Sequence, residues 1–237
     1  MTRRRWMADE VSGDHATLTG HHADHLARVL RARIGQEFDI ATGAGVRRGR
    51  IISIDESRVE FELGEEIPAR SIPDVTVALS IFKFDRMEWA IEKVTELGVA
   101  RIVPIIARRT EAHLAAAAEK RVERWLRIAR QASEQSRRAS PPEISQPLKL
   151  KDALELLGGL RIALAESEKT VTLKNALQSS SARDVVLAVG PEGGWTDAEV
   201  EMFRDAGWIP ASLGNTILRA ETAAIAALAI VISGIGV

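Results

Sequence analysis

Five consecutive apolar residues, Val185 to Val189, run straight into Gly190-Pro191-Glu192-Gly193-Gly194 and then into Trp195-Thr196-Asp197. A run so short and so uniformly apolar predicts a strand buried on both faces, as in the interior of a covered parallel sheet. Three glycines in the loop let the backbone turn sharply and lie bare to a ligand. Thr196, followed three residues later by Glu199, predicts a capped helix over Asp197–Ala206. A second glycine loop comes soon after, in Ser212-Leu213-Gly214-Asn215-Thr216-Ile217-Leu218-Arg219. Two strand–loop–helix turns this close together predict two walls of one cleft.

The same grammar extends back to Val75. Strands are expected at Val75–Phe82, Arg101–Ala107, Arg161–Ala165, Val185–Val189 and near Trp208–Leu213. Helices are expected at Arg86–Leu97, Glu119–Arg138, Leu150–Leu157, Leu173–Gln178, Asp197–Ala206 and Glu221–Ser233. Gly98 closes the first of these, and Pro141-Pro142 stops the second. Alternation of this kind predicts an α/β fold, with a parallel sheet covered by helices on both faces. Residues 1 to about 70 read differently: short strands at Arg4–Met7, Ala16–Thr19, Glu37–Thr42, Arg48–Ile54 and Arg58–Leu63, with one helix at Ala23–Arg33. Strands at that density predict a small β-barrel. Ile67–Asp74, with Pro68 and Pro73, reads as a linker. The expected domains are therefore 1–70 and 75–237.

The chain has 237 residues and a formal net charge of −1, so no overall basic field calls for a polyanion, and any nucleic-acid surface must be local. It has no cysteine, which removes disulfides, thiolate metal sites and a cysteine nucleophile and is compatible with a reducing cytoplasm. The start MTRRRWMADE has no apolar core behind its charges and is not a secretory signal. Ala223–Ile232 falls short of the roughly 20 apolar residues of a membrane span. A soluble protein without a membrane partner is expected.

The glycine loops could simply shape tight turns, or they could hold a ligand. A phosphate is disfavoured: there is no Lys-Ser/Thr pair at P-loop spacing and no G-x-G-x-x-G. Glu192 and Asp197 already put negative charge where a phosphate would sit. A ligand read by backbone, with a nucleobase edge and a neutral or cationic reactive centre, fits better. On the long helix, Lys120, Arg124, Arg127, Gln131, Glu134 and Arg138 share one face, while Val122, Trp125, Ala129 and Ala132 face the core. Such stripes are usually plain solvated faces. This one sets seven basic residues (Lys120, Arg121, Arg124, Arg127, Arg130, Arg137, Arg138) against three acidic ones (Glu119, Glu123, Glu134), as phosphate contacts would require. Arg3, Arg4 and Arg5, with Arg28 and Arg31 of the first helix, offer a second patch. His15, His21, His22 and His25 lie near Asp14 and Asp24 in sequence but follow no metal-ligand motif, so no metal is expected. There is no G-x-S-x-G, and no Ser-His-Asp system is indicated.

Several segments together resemble one family. Glu88–Pro104 (EWAIEKVTELGVARIVP), Glu134-Gln135-Ser136-Arg137-Arg138, Gly190–Gly194 and Leu213–Ala223 (LGNTILRAETA) are similar to the RsmE family of small-subunit ribosomal RNA methyltransferases. The resemblance spans essentially the whole chain, including the RRRW start and the His22–Arg33 segment. It implies the SPOUT superfamily, with a trefoil-knotted C-terminal domain acting as a homodimer, and an N-terminal PUA-like barrel that grips RNA. It implies methylation of N3 of one uridine in 16S rRNA of the small subunit, with S-adenosylmethionine as cofactor. Carried over by motif, the cofactor positions are Leu164, Gly190, Glu192, Gly193, Gly194, Leu213, Gly214, Ile217, Leu218 and Arg219. Arg138 and Arg219 are the expected catalytic arginines, orienting the uracil and stabilising its developing negative charge. Glu134 is expected to order Arg138 or accept a proton. RNA contacts are expected from Arg3, Arg4, Arg28, Arg31, Arg124 and Arg127. Two departures stand out: Thr216 where the family often has arginine, and Arg137 where it often has glycine. The alternatives at this stage are another SPOUT RNA methyltransferase with a different target, a dinucleotide-dependent α/β enzyme, and a non-catalytic RNA-binding module.

Overall fold

The computed structural model describes residues 5–55, 57–68 and 74–235. Arg3 and Arg4, and most of the expected linker, lie outside the described residues. The chain divides into two compact units: Met1–Arg70 with Ser133–Pro141, and Ser71–Ala132 with Pro142–Val237.

In the first unit, strands β1 (Arg5–Met7), β2 (Glu10–Ser12), β3 (His15–Thr19), β4 (Glu37–Ala41), β5 (Val46–Ile54) and β6 (Arg58–Ile67) form a sheet in the order β1-β4-β5-β6-β3-β2. Only β1 and β4 pair in parallel; the other neighbours are antiparallel. β1 and β2 occupy opposite ends of that order, yet only Ala8 and Asp9 separate them in sequence. The three Cα-to-Cα steps from Met7 to Glu10 span about 11 Å at most, so the sheet must curl until its edges nearly meet. Ala8 N donates to Ala41 O and Asp9 N to Thr17 O, carrying the chain from one edge to the other. Leu18, Leu26, Ile40, Ile51, Val59 and Phe61 fill the interior.

β2 escaped the sequence reading because all three of its residues are exposed and show no alternation. The first helix also differs from expectation. Helix α1 (Gly20–Asp24) runs into a π-helical turn at His25–Val29, and the segment stops short of Arg33. Arg31 takes a left-handed φ of +50°, which no helix continues through.

The second unit holds strands β7 (Val75–Ser80), β8 (Arg101–Ile106), β9 (Glu143–Ile144), β10 (Leu148–Lys149), β11 (Leu160–Leu164), β12 (Val185–Val189) and β13 (Ile209–Ala211). They make a wholly parallel sheet ordered β10-β8-β7-β12-β11-β13, with β9 also beside β8. Its helices are α2 (Phe84–Leu97), α3 (Ala112–Ala117), α4 (Val122–Gln135, whose last three residues fall in the first unit), α5 (Leu150–Ala153), α6 (Leu173–Gln178), α7 (Asp197–Asp205) and α8 (Ala220–Gly234). Val185, Leu187 and Val189 pack with α2, α4, α6 and α8, whereas Val186 and Ala188 pack with α5, α7, Trp195 and Trp208. β12 is thus buried on both faces, as its unbroken apolar run requires.

α4 begins after a 3₁₀ turn at Glu119–Arg121 and ends at Gln135, short of the expected Arg138. Arg137, at φ +60°, ends it. The expected inward face holds: Val122, Trp125, Ala129 and Ala132 are buried.

A glycine is also required inside the barrel. A Cβ on Gly49 of β5 would lie 2.4 Å from Ile40 Cγ1 and 3.3 Å from Phe61 Cβ, both in the core. Gly49→Ala should destabilise folding by about 1–3 kcal/mol in denaturant titrations, through overpacking. Gly64→Ala, whose Cβ would meet only Arg48 O at an ordinary 3.6 Å, should cost far less.

Candidate functional site

Three neighbouring parallel strands end level with one another. Leu164 at the end of β11 pairs with Val189 of β12 on one side and with Ala211 of β13 on the other. Their following loops therefore emerge together at the carboxyl edge of the sheet, where open α/β sheets bind ligands. A cleft lies there with about 710 Å³ of space, counting its open mouth. Leu164, Ala165, Glu166 and Lys169 line it from the loop after β11. Gly190, Pro191, Glu192, Gly194 and Trp195 line it from the loop after β12, and Leu213, Gly214, Ile217 and Leu218 from the loop after β13. Most of the expected cofactor positions are thus brought together; Gly193 and Arg219 are not on the lining.

Local chemistry fixes the loop after β12. Gly194 N donates to Pro191 O at 2.8 Å, closing a turn in which Gly194 has φ +67°. Trp195 Nε1 donates to Leu164 O at 3.0 Å, using the last carbonyl of the neighbouring strand. A Cβ on Gly190 would sit 3.3 Å from that indole nitrogen, so the ring packs against bare backbone. Thr196 then caps α7 in a full capping box. Thr196 N and Oγ1 donate to Glu199 Oε2 at 2.8 and 2.9 Å, and Glu199 N donates back to Thr196 Oγ1 at 3.3 Å. The other carboxylate oxygen of this buried residue accepts from Arg108 N at 2.7 Å. Arg109 donates to Gly193 O and, at 3.2 Å, to Trp195 O. Gly193 therefore faces Arg109, away from the cleft lining.

Glu166, Lys169 and Trp195 were not singled out in sequence. The signal was available: if the strands at Arg161–Ala165 and Val185–Val189 are parallel neighbours, the loops that follow them converge.

The charged cleft residues are Glu166, Glu192 and Lys169. With Glu192 paired to Arg86 at 3.0 Å and Glu166 set against Lys169, the lining has no excess of positive charge that would draw a phosphate. Arg219 is the exposed N-cap of α8, directly after the lining residue Leu218. Arg138 belongs to the first unit, is buried, and donates from Nε to Ser140 O at 3.1 Å. Burial lowers its pKa to about 10, so the guanidinium is still charged at neutral pH. Glu134, in the same unit, has Oε2 3.2 Å from His22 Nε2, and His22 Nδ1 lies 3.8 Å from Asp9 Oδ2. Among the described residues, no group of three or more His, Cys, Asp or Glu is gathered to hold a metal.

The basic stripe is partly neutralised. Arg124 grips Glu88 of α2 with two hydrogen bonds, at 2.7 and 2.8 Å, and Arg121 lies 3.5 Å from the same carboxylate and over the Phe84 ring. Arg127 is exposed. Arg28 is exposed and pairs with Asp24 at 3.5 Å, and Arg31 is exposed. Among the described residues, no helix is long and apolar enough to cross a membrane.

The RNA methyltransferase domain family matches residues 70–232, and the RNA methyltransferase PUA domain family matches residues 18–64. A Synechocystis protein named ribosomal RNA small subunit methyltransferase E is 35% identical over 219 residues, covering 90% of this chain and 71% of that protein. The chain belongs to the ribosomal RNA small subunit methyltransferase E family. Its fold agrees with that membership. The crystal structure of the family member from Neisseria gonorrhoeae, bound to S-adenosyl methionine, superposes with a TM-score of 0.83 at 29% identity, over 96% of this chain and 95% of that one. A Legionella pneumophila protein solved with bound S-adenosyl methionine gives 0.82 at 29% identity, over 98% and 97%. The expected architecture, a helix-covered parallel sheet with an N-terminal PUA domain, is the one found.

Because the capping box links the loop to both α7 and the segment after β8, Thr196→Ala should destabilise folding by about 1 kcal/mol. Thermal or denaturant unfolding would measure this, and Thr196→Ser should restore most of the loss.

Proposed function

We propose that this protein transfers the methyl group of S-adenosylmethionine to N3 of a uridine in 16S rRNA of the small ribosomal subunit, acting in the cytoplasm as a homodimer. The observation that carries this reading is the cleft formed by the loops after β11, β12 and β13. Its walls are lined by bare glycine backbone and apolar side chains, and its charged residues, Glu166, Glu192 and Lys169, leave no excess of positive charge that would favour a phosphate. The residues fit such a donor: Leu164, Gly190, Glu192, Gly194, Leu213, Gly214, Ile217 and Leu218 would hold it. When bound, S-adenosylmethionine supplies an electrophilic methyl group on a positively charged sulfur. The two glycine loops are assigned to the trefoil crossing of the superfamily, within a methyltransferase domain of residues 75–237. Residues 1–70 are assigned to the RNA-gripping barrel.

Uracil N3 carries a proton that must leave for the nitrogen to be methylated, and until the N–C bond forms the negative charge it leaves behind spreads over N3 and the two flanking carbonyl oxygens. A guanidinium held beside the ring stabilises that charge, and one already fixed in place does so with little reorganisation. Arg138 and Arg219 are assigned this role. Arg138 suits it because its Nε is anchored on Ser140 O while it keeps its charge at neutral pH. Glu134 is assigned to order Arg138 or to take up the proton, with His22 at 3.2 Å as its partner. Unstacked RNA would be held largely through phosphate contacts from Arg3, Arg4, Arg28, Arg31, Arg124 and Arg127.

Arg138→Ala and Arg219→Ala should each lower methyl transfer to small-subunit particles by about 10²–10³-fold in kcat. Near-wild-type turnover by both would discard the arginine assignments. Arg127→Glu should weaken binding to the particle and flatten its dependence on salt by about one unit of log–log slope, with donor affinity unchanged. Unaltered particle binding would return that face of α4 to simple solvation.

A further inference from the structure

One buried carboxylate beside the cleft has no role in the scheme above. Glu221, in the first turn of α8, has a side chain only 7% exposed. Its Oε2 is fully buried and has no hydrogen-bond partner among the described residues. The N-terminal end of α8 favours a negative charge there, but an ionised carboxylate removed from water also needs a cation nearby. The cation is Arg86, near the start of α2, whose Nε lies 3.9 Å from Glu221 Oε1. The same guanidinium reaches in the other direction: Arg86 Nη1 donates to Glu192 Oε1 at 3.0 Å. Glu192 lines the cleft from the loop after β12, and Glu221 follows directly on Ala220, which lines it from the start of α8. One arginine therefore ties together two walls of the cleft that come from different loops.

The fold makes Arg86 rigid enough for this. β7, which leads into α2, pairs with β12 from Val75 to Leu79, with Leu79 opposite Val189. The next residue after Arg86, Met87, is fully buried, as are Ala90 and Ile91, in the core shared with Ala224, Ala227 and Leu228 of α8. The guanidinium is thus carried by a helix packed against the same helix whose first turn it contacts.

We propose that Arg86 is a positioning residue for donor binding: by clasping Glu192 and Glu221 it holds the glycine loop after β12 and the start of α8 at their binding separation. It rests on the donor reading above. It acts through geometry, so it should affect the charged donor and its uncharged-sulfur product, S-adenosylhomocysteine, alike.

The test is isothermal calorimetry of the full chain with S-adenosylmethionine and, separately, with S-adenosylhomocysteine. Absence of donor binding by the unaltered protein would remove the donor reading itself, whatever the variants do. Given that binding, Arg86→Gln should weaken both ligands by about tenfold or more, because a loosened site loses its preorganisation. Arg86→Lys, which keeps the charge but not the two-way reach, should fall between. Glu221→Gln, which loosens the clasp from the α8 side at a residue off the cleft lining, should weaken both ligands in the same way should Arg86→Gln fail to fold. Unchanged affinities in Arg86→Gln, or in Glu221→Gln where Arg86→Gln fails to fold, would overturn the proposal. So would tighter binding of the donor alone in Arg86→Gln, since that would mean Arg86 acts by offsetting charge and not by position.

Discussion

The level ending of β12, β11 and β13 is the constraint on which the site depends. Parallel strands direct all their following loops to one edge, and the pairing of Leu164 with both Val189 and Ala211 puts three such loops within reach of one ligand. Each loop is then held by its neighbours. Leu164 O takes the Trp195 indole N–H, Ala165 N donates to Ala211 O, and Ser212 N donates to Val171 O. Glycine is needed only where these contacts demand it. Gly190 needs bare backbone against an indole, and Gly194 and Gly214 need positive φ.

Arginine does most of the remaining work, in three settings. Arg109 and Arg86 hold the loop after β12 by its carbonyls and by its carboxylate. Arg124 is matched by Glu88, so the basic stripe of α4 is less positive than its composition implies. Arg138 is buried with its charge retained. The type of residue is the same in all three; what it touches decides its role.

Much of the second unit was legible in the sequence because its signals are local. β12 and α6 occupy the expected residues, and the Thr196–Glu199 box is present as the spacing implies. The misses share a physical cause. β2 is fully exposed, β9 and β10 are two residues each, and none of them carries a periodic pattern. The shortened α4 and the displaced first helix both turn on a non-glycine residue at positive φ, Arg137 and Arg31, which composition cannot announce. At the site, the glycine motifs pointed to the two loops they occupy. Glu166, Lys169, Arg86 and Glu221 were missed because their relevance comes from strand order, which no single segment encodes.

The central claim is that this cleft serves methylation of one uridine in small-subunit RNA. The most direct measurement is to incubate the protein with small-subunit particles and isotopically labelled S-adenosylmethionine, then locate the label in the RNA by nuclease mapping and mass spectrometry. The account predicts label on a single uridine of 16S rRNA, on the base at N3. Label on another base or on ribose, or none despite measured donor binding, would contradict it.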